Sequence, residues 1–403
     1  MIPYYLLFIY FGIFSFVEHC ETNKSRMDFW VIISFFVLLL FYGLRYDVGI
    51  DWYSYNIFFN RVEPISLVLK GKTFAPIFYN SEYQVMEIGY RLLNSVFKTT
   101  GAGFQFFMFC IALFNLTSLY TFLYNQKIEY KFTLITIFIS LAMFREFDIF
   151  RQSISFYTFL YSLKFLHSNV KKYILINLIG SLFHLSSIIF ILIIPLLKVK
   201  FSKRTLLILL ILYLTTFFFV IPLISTALNI TESLKILSPY MIKILSFYKY
   251  LNYSSGFGLT ISLPCIALLI IILLNYDVYD NLDNSTRILV NLFICYIIIS
   301  IFGSEIEEIV TRLGYYFFIG IAAMVSFLPL FLKNQFKISI AIIPIMFALL
   351  KFSLFVNTPA TKLTYTPYTN YIFNSSEKRN KRISIKQKEV SRYYFDKLQN
   401  NGN

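Results

Sequence analysis

Charged residues make up only 14% of this 403-residue chain, too few to clothe a soluble domain of any size. Histidine is scarcer still, with three in all, at His19, His167 and His184. The four cysteines, Cys20, Cys110, Cys265 and Cys295, lie in or beside apolar runs without metal-ligand spacing, and they say nothing about redox compartment. No carboxylates stand at a spacing suited to Mg²⁺ or Mn²⁺, so no metal or other cofactor is expected. The opening apolar run, 2–17, lacks the basic start and small-residue cleavage site of a signal peptide and reads as a retained helix. A nucleic-acid partner is not expected either.

What is present is apolar. Hydrophobic residues reach 58% and aromatics 20%, the composition of a polytopic helical membrane protein. Eleven apolar runs cover 2–17, 29–44, 104–124, 132–144, 152–166, 173–197, 205–224, 257–275, 288–303, 313–332 and 338–356. The short connections carrying Lys24 and Arg26, Lys127 and Lys131, Lys171 and Lys172, Lys198 to Arg204, and Lys333 with Lys337 mark the cytoplasmic side. All of them can lie inside only if 173–197 enters and leaves by one face. Its midpoint is His184, which leaves two arms of about a dozen residues, roughly 18 Å each, too short to span. The run is therefore expected to be a short helical hairpin with His184 at its tip. One long tilted helix is the alternative. The expected fold is all-α, with about 11–12 membrane segments.

This topology puts both termini outside, and with them the stretches 45–103, 145–151 and 304–312. Arg45, Arg61, Arg91, Arg145, Arg151 and Arg312 all fall there, whereas the inner loops are mostly lysine. A guanidinium grips phosphate oxygens in pairs, so arginines at helix mouths suggest a phosphate or diphosphate ligand. Directly after the second run comes Arg45-Tyr46-Asp47-Val48-Gly49-Ile50-Asp51-Trp52-Tyr53-Ser54-Tyr55, with charge where lipid is near. Glu87 to Arg91 opens an amphipathic stretch in the 45–103 loop that is expected to lie on the outer interface. By its i,i+4 spacing alone the Glu87/Arg91 pair reads as an exposed ion pair worth about 0.3–0.5 kcal/mol, and Glu308/Arg312 shares that spacing, although Arg312 runs straight into the helix opened by Leu313-Gly314-Tyr315-Tyr316-Phe317. Arg145 to Gln152 forms a short turn, partly a solvated corner, and Arg151, Gln152 and Ser155 start the next helix on one face.

In order along the chain, Arg45 with Gly49-Ile50-Asp51 and Tyr55, Glu87-Ile88-Gly89-Tyr90 with Leu93-Asn94, Arg151-Gln152, Phe183-His184-Leu185-Ser186, and Arg312 before an aromatic helix resemble the motifs of the Wzy/EpsG-type bacterial polysaccharide repeat-unit polymerases. The likeness covers about residues 40–360, and each motif alone is weak. The Lys70-Gly71-Lys72 loop and the tail depart from the pattern: from Glu377 to Lys397 eight basic residues stand against three acidic ones. The resemblance implies glycosyl transfer between undecaprenyl-diphosphate-linked oligosaccharides at the outer face of a bacterial cytoplasmic membrane, building an O-antigen, capsule or exopolysaccharide. A chain-length regulator and a flippase of the same pathway are the further partners it implies. In this reading the reaction is metal-independent. His184, Asp51 and Glu87 are the catalytic candidates, Arg45, Arg151 and Arg312 bind the diphosphate, and Gln152, Tyr55, Tyr90 and Arg91 contact substrate. Asp51 is expected beside His184, orienting it, with Asp51 as Arg45's buried partner as the alternative. The polymerase domain is expected over 1–360, followed by a polar, basic tail over 361–403. A lipid-linked oligosaccharide flippase should show pseudo-symmetric halves, and none is evident. A multi-pass sugar acyltransferase would need histidines with acidic partners on the inner side, where only Glu18 beside His19 qualifies.

Overall fold

The computed structural model describes residues 1–21, 23–70, 86–219, 259–304, 307–332 and 337–373. The 225–256 region, Gly71 and Lys72, Lys333 and the basic tail beyond 373 lie outside these residues, as does the side chain of Glu308. Among the described residues there is no strand, and the only ladder contact is an isolated bridge between Arg45 and Asn370. The chain is an all-α polytopic membrane protein. Among the described residues five helices have the length and apolarity to cross a bilayer: Ile2–Cys20, Lys24–Gly43, Phe104–Asn125, Asn284–Gly303 and Ile338–Val356. Other expected runs fold as shorter or interrupted helices, and 313–332 is broken into three helical pieces.

The outward face of these helices is the greasy one. In α1 (Ile2–Cys20) the exposed positions are Ile2, Leu6, Ile9, Ile13 and Phe16, while Tyr4, Phe8, Phe11 and Ser15 are buried. In α2 (Lys24–Gly43), Phe29, Ile32, Phe36 and Leu40 face out, and Ser34 is turned inward to share a 2.5 Å hydrogen bond with Tyr120. Apolar outside with hydroxyls satisfied inside is the inversion that lipid demands of a helix bundle. Side-chain caps start several helices at the positions polar residues mark in the sequence: Asn23 accepts from Arg26 N, Asn169 from Lys172 N, Ser202 from Thr205 N and Asp283 from Thr286 N.

The chain divides into two compact units, one comprising Met1–Phe132, Ala142–Leu192 and Met346 onward, the other Thr133–Leu141 and Ile193–Ile345. In the first unit, after α1 and α2, come α3 (Trp52–Arg61), α4 (Ile65–Val68), α5 (Ile88–Thr99), α6 (Phe104–Asn125), the ends of α7 (Lys131–Asp148), α8 (Phe150–Ser162) and α9 (Val170–Ser181). α5 is the expected amphipathic helix of the external loop. It buries Tyr90 in an aromatic cluster with Trp52, Tyr55, Phe58 and Phe59 of α3 and Phe104 and Phe107 of α6, and Asn94, one turn on, is buried as well. Ring pairs of this kind add about 0.5–1.5 kcal/mol each beyond their burial.

The run 173–197 reverses direction. α9 ends at Ser181, His184 is extended, and helical pieces resume over Leu185–Ile188, Ile189–Leu192 and Ile194–Lys198. The Tyr173 hydroxyl donates to the Phe190 carbonyl at 2.7 Å, and Phe190 stacks on Phe159 of α8 with ring centroids 3.8 Å apart. A continuous helix would set residues 173 and 190 about 25 Å apart, so the hairpin replaces the single tilted helix.

In the second unit the interior is held by an amide. Asn291, fully buried in Asn284–Gly303, donates to the carbonyls of Leu196 (3.0 Å), Leu197 (3.2 Å) and Val199 (2.8 Å) and accepts from Tyr279 (3.0 Å). Those carbonyls end the Ile194–Lys198 helix and would otherwise be unsatisfied.

The start of the expected tail belongs to the first unit. Thr361, Thr364 and Tyr365 of the Pro359–Tyr365 helix are buried, and Thr364 together with residues after the helix pairs with 44–49. Tyr46 N donates to Thr369 O at 2.9 Å, Tyr371 N to Leu44 O at 2.8 Å and Gly49 N to Thr364 O at 3.3 Å.

Candidate functional site

Three segments of the first unit, far apart in sequence, meet at one carboxylate. Glu87 precedes α5, Arg151 is the second residue of α8, and His184 tips the hairpin. Glu87 Oε1 lies 3.0 Å from His184 Nδ1, and Glu87 Oε2 accepts a hydrogen bond from Arg151 Nη1. The Tyr55 hydroxyl on α3 accepts from the same guanidinium. Both Glu87 and His184 keep 20% of their side-chain surface, so the pair is sheltered yet reachable.

Backbone packing sets this meeting. Gly89 N donates to the Leu182 carbonyl at 2.9 Å, tying the first turn of α5 to the hairpin tip. A Cβ on Gly89 would lie 2.8 Å from that carbonyl oxygen and 2.9 Å from its carbon, so only glycine allows the approach. On the other side of the tip, Ser155 Oγ of α8 donates to Gly180 O of α9 at 2.7 Å. Glu87, Arg151 and His184 are thus fixed by main-chain contacts one or two residues away from each, or within a single helical turn.

Electrostatics follow the contacts. Burial pushes the Glu87 carboxyl up, but the His184 hydrogen bond and the Arg151 charge outweigh it and leave its pKa below the usual value, so it is an anion. Burial lowers Arg151, yet Tyr55 and Glu87 beside it raise its pKa overall. Burial drives the Tyr55 phenol up to about 12.

A second group surrounds the 145–151 turn. Asp148 accepts from Ile50 N at 2.6 Å through Oδ1 and from the Tyr365 hydroxyl through Oδ2. Gly49, at φ +116°, makes that approach possible: a Cβ there would stand 2.7 Å from Asp148 Oδ1 and 3.0 Å from Phe147 O. Burial, with the charge of Asp51 adding to it, raises the Asp148 carboxyl to about 7 against the Tyr365 and Ile50 hydrogen bonds. Arg45 is buried. Its Nη1 donates to Tyr42 O at 2.6 Å, and its guanidinium lies over the rings of Phe147 (4.6 Å) and Phe150 (5.0 Å). Burial lowers its pKa to about 10.

Of the residues expected to act together, the fold unites Glu87, Arg151, His184 and Tyr55. Tyr90 packs edge-on to Tyr55 at 5.6 Å, Gln152 is buried on α8, and Arg91 is half-buried on α5. The carboxylate paired with His184 is Glu87, which corrects the expectation of Asp51 in that place. Asp51 is exposed at the start of α3, and the carboxylates whose charge acts on the buried Arg45 include Asp148 and Glu146. Glu87 forms its ion pairs across the fold with Arg151 and His184, in place of the local Arg91 pair. The side chain of Arg312, in the last turn of Glu307–Tyr315, is exposed within the second unit. His19 stacks on Tyr130 at 4.2 Å and His167 is exposed, as ordinary helix-end residues. Asp148 and Tyr365 are the residues that sequence reasoning passed over. The first looked like part of a solvated corner, and the second sat in what read as a polar tail.

A family model described as the EpsG family matches residues 28–371. No curated protein and no solved structure matches the chain.

Proposed function

From the premise that this chain belongs to the EpsG family, whose broad role is polysaccharide polymerisation, we propose that it joins undecaprenyl-diphosphate-linked oligosaccharide units by glycosyl transfer at the Glu87–Arg151–His184 site, on the outer face of a bacterial cytoplasmic membrane. The product would be a surface polysaccharide. The observation that carries this reading is the carboxylate of Glu87 shared between an imidazole and a guanidinium.

Glycosyl transfer from a diphosphate needs a base at the acceptor hydroxyl and positive charge at the leaving group. His184 is the base. Glu87, held as an anion, accepts from Nδ1–H and so leaves Nε2 unprotonated to take the acceptor's proton. As the acceptor oxygen bonds to the anomeric carbon of the growing chain, the anomeric C–O bond to phosphate breaks, and undecaprenyl diphosphate departs with the bonding pair. Arg151 meets the charge that develops on it, so a guanidinium does this work. Tyr55, bound to Arg151, keeps that guanidinium oriented, and Tyr90, Arg91 and Gln152 border the sugar.

The test is purified protein in lipid nanodiscs supplied with lipid-linked repeat units, the products being sized. Glycans of many units from the wild type and single units from His184→Ala are expected. Single units from the wild type, or full-length polymer from His184→Ala, would overturn the assignment.

A further inference from the structure

Arg45 carries the charge most at odds with its surroundings. Its guanidinium is sealed between the Phe147 and Phe150 rings and faces a cavity of about 20 Å³, lined in part by Asn115, Glu146, Ser153 and Tyr157. That volume admits about one water and no diphosphate. Inside it, Glu146 accepts from the Tyr157 hydroxyl at 2.5 Å and Asn115 donates to Ser153 Oγ at 3.1 Å, while Arg45 Nε and Asn115 Oδ1 are buried without a hydrogen-bond partner. The main chain around Arg45 is pinned as well, since Gln105 Nε2 donates to Gly43 O at 2.8 Å and Arg45 O at 3.3 Å.

From this pocket a chain of direct contacts runs to the site. The Phe150 ring, on which Arg45 lies, stacks on Tyr55 with centroids 4.6 Å apart and planes at 16°. Tyr55 holds Arg151, and Arg151 holds Glu87. Phe150 and Arg151 are also neighbours in the first turn of α8. We infer that Arg45 is a positioning residue: clamped between Phe147 and Phe150 over an internal water, it sets the α7–α8 turn and, through Phe150 and Tyr55, the orientation of Arg151. It does not touch the substrate. The inference rests on the role proposed above for Glu87, Arg151 and His184.

A cation desolvated between two rings is held strongly, and one water in that cavity would give Arg45 Nε and Asn115 Oδ1 a partner. The turn is rigid for that reason, and a misplaced turn would cost rate before it cost affinity.

The experiment compares Arg45→Gln, Phe150→Leu and Arg151→Ala in nanodiscs, by hydrogen exchange over 145–155 without substrate and by turnover of lipid-linked units. Arg45→Gln and Phe150→Leu are expected to raise exchange in that turn about tenfold, whereas Arg151→Ala leaves it as in the wild type. Both should lower kcat by about a hundredfold, with the donor KM moving less than about threefold. If Arg45→Gln fails to fold, Arg45→Lys, which keeps a cation over the rings but loses Nε, is expected to show the same split in milder form. The reverse split overturns the inference: a raised KM with unchanged exchange for Arg45→Gln, and a silent Phe150→Leu. That result leaves the Glu87–His184 site intact, because failure of the site is read separately, as full activity of His184→Ala.

Discussion

The two units treat polar groups in opposite ways. The first brings unlike charges together at partial burial, with Glu87 between Arg151 and His184, and adds a raised carboxyl at Asp148 and a buried cation at Arg45. Among its described residues the second keeps its interior neutral around Asn291 and leaves its Lys200–Asp280 ion pair, 2.7 Å long, half-exposed. An amide that closes the end of a helix is explained by structure alone. A sheltered carboxylate shared by a histidine and an arginine costs desolvation that packing does not require, which is in keeping with the chemistry proposed for it.

The sharpest way to break this contrast is to remove the shared carboxylate. Glu87→Gln keeps the size of the side chain but leaves the Arg151 charge unpaired and frees the His184 tautomer, and turnover should fall by about a hundredfold to ten-thousandfold. His184→Ala should fall as far, and the double variant hardly further, because the two act as one unit. Product sizing with purified protein checks all three, and additive losses would separate the pair. Next comes Gly89→Ala. The added Cβ must push α5 off the Leu182 carbonyl, which widens the 3.0 Å contact between Glu87 and His184, and a loss of about tenfold to a hundredfold is expected without change in any charged group. Normal activity would mean that the site tolerates a shift of the helix that carries Glu87.

Arg151→Lys keeps the charge and loses the planar fork that serves Glu87 and a phosphate together, so donor KM should rise by about tenfold. A Lys variant with wild-type KM would remove the diphosphate role. Smaller again is the effect of pH through Asp148. Its pKa is about 7 in the fold against 3.8 for an unperturbed carboxyl, so the folded protein holds that proton more tightly than the unfolded chain. The resulting stability is complete below about 3.8 and is lost as pH rises through about 7. Melting temperatures in detergent should therefore fall by about 2–4 °C more across that window in the wild type than in Asp148→Asn, which has no proton to lose. In the second unit, Lys200→Ala should leave turnover within about twofold and stability nearly unchanged, as an exposed pair contributes little. A large loss there would end the contrast between the units.

Much of this was legible along the chain. Run length and the lysines of short loops disclosed the hairpin, because a bilayer accepts only certain lengths and orientations. Glu87, Arg151 and His184 stood out because charge at a helix mouth is costly near lipid. The partner of His184 was not legible: Asp51 and Glu87 both flank the external region, and only the docking of Gly89 on Leu182 brings one of them within 3.0 Å. Arg45 looked equivalent to Arg151 as a cation at the mouth of a helix. One ends in an ion pair and the other between two rings, a difference set by Phe147 and Phe150 arriving from elsewhere.

Composition and periodicity alone determined that this is an all-helical membrane protein with a few charges set at helix mouths, since both depend on local properties: apolar length, and the cost of charge near lipid. Which charges meet was decided only by the tertiary structure. So was the return of residues 364–371 onto 44–49, which buries Tyr365 against Asp148. These contacts join segments from opposite ends of the chain, and their geometry is set by close packing between helices, at Gly49 and Gly89 above all, where a single added carbon would have no room.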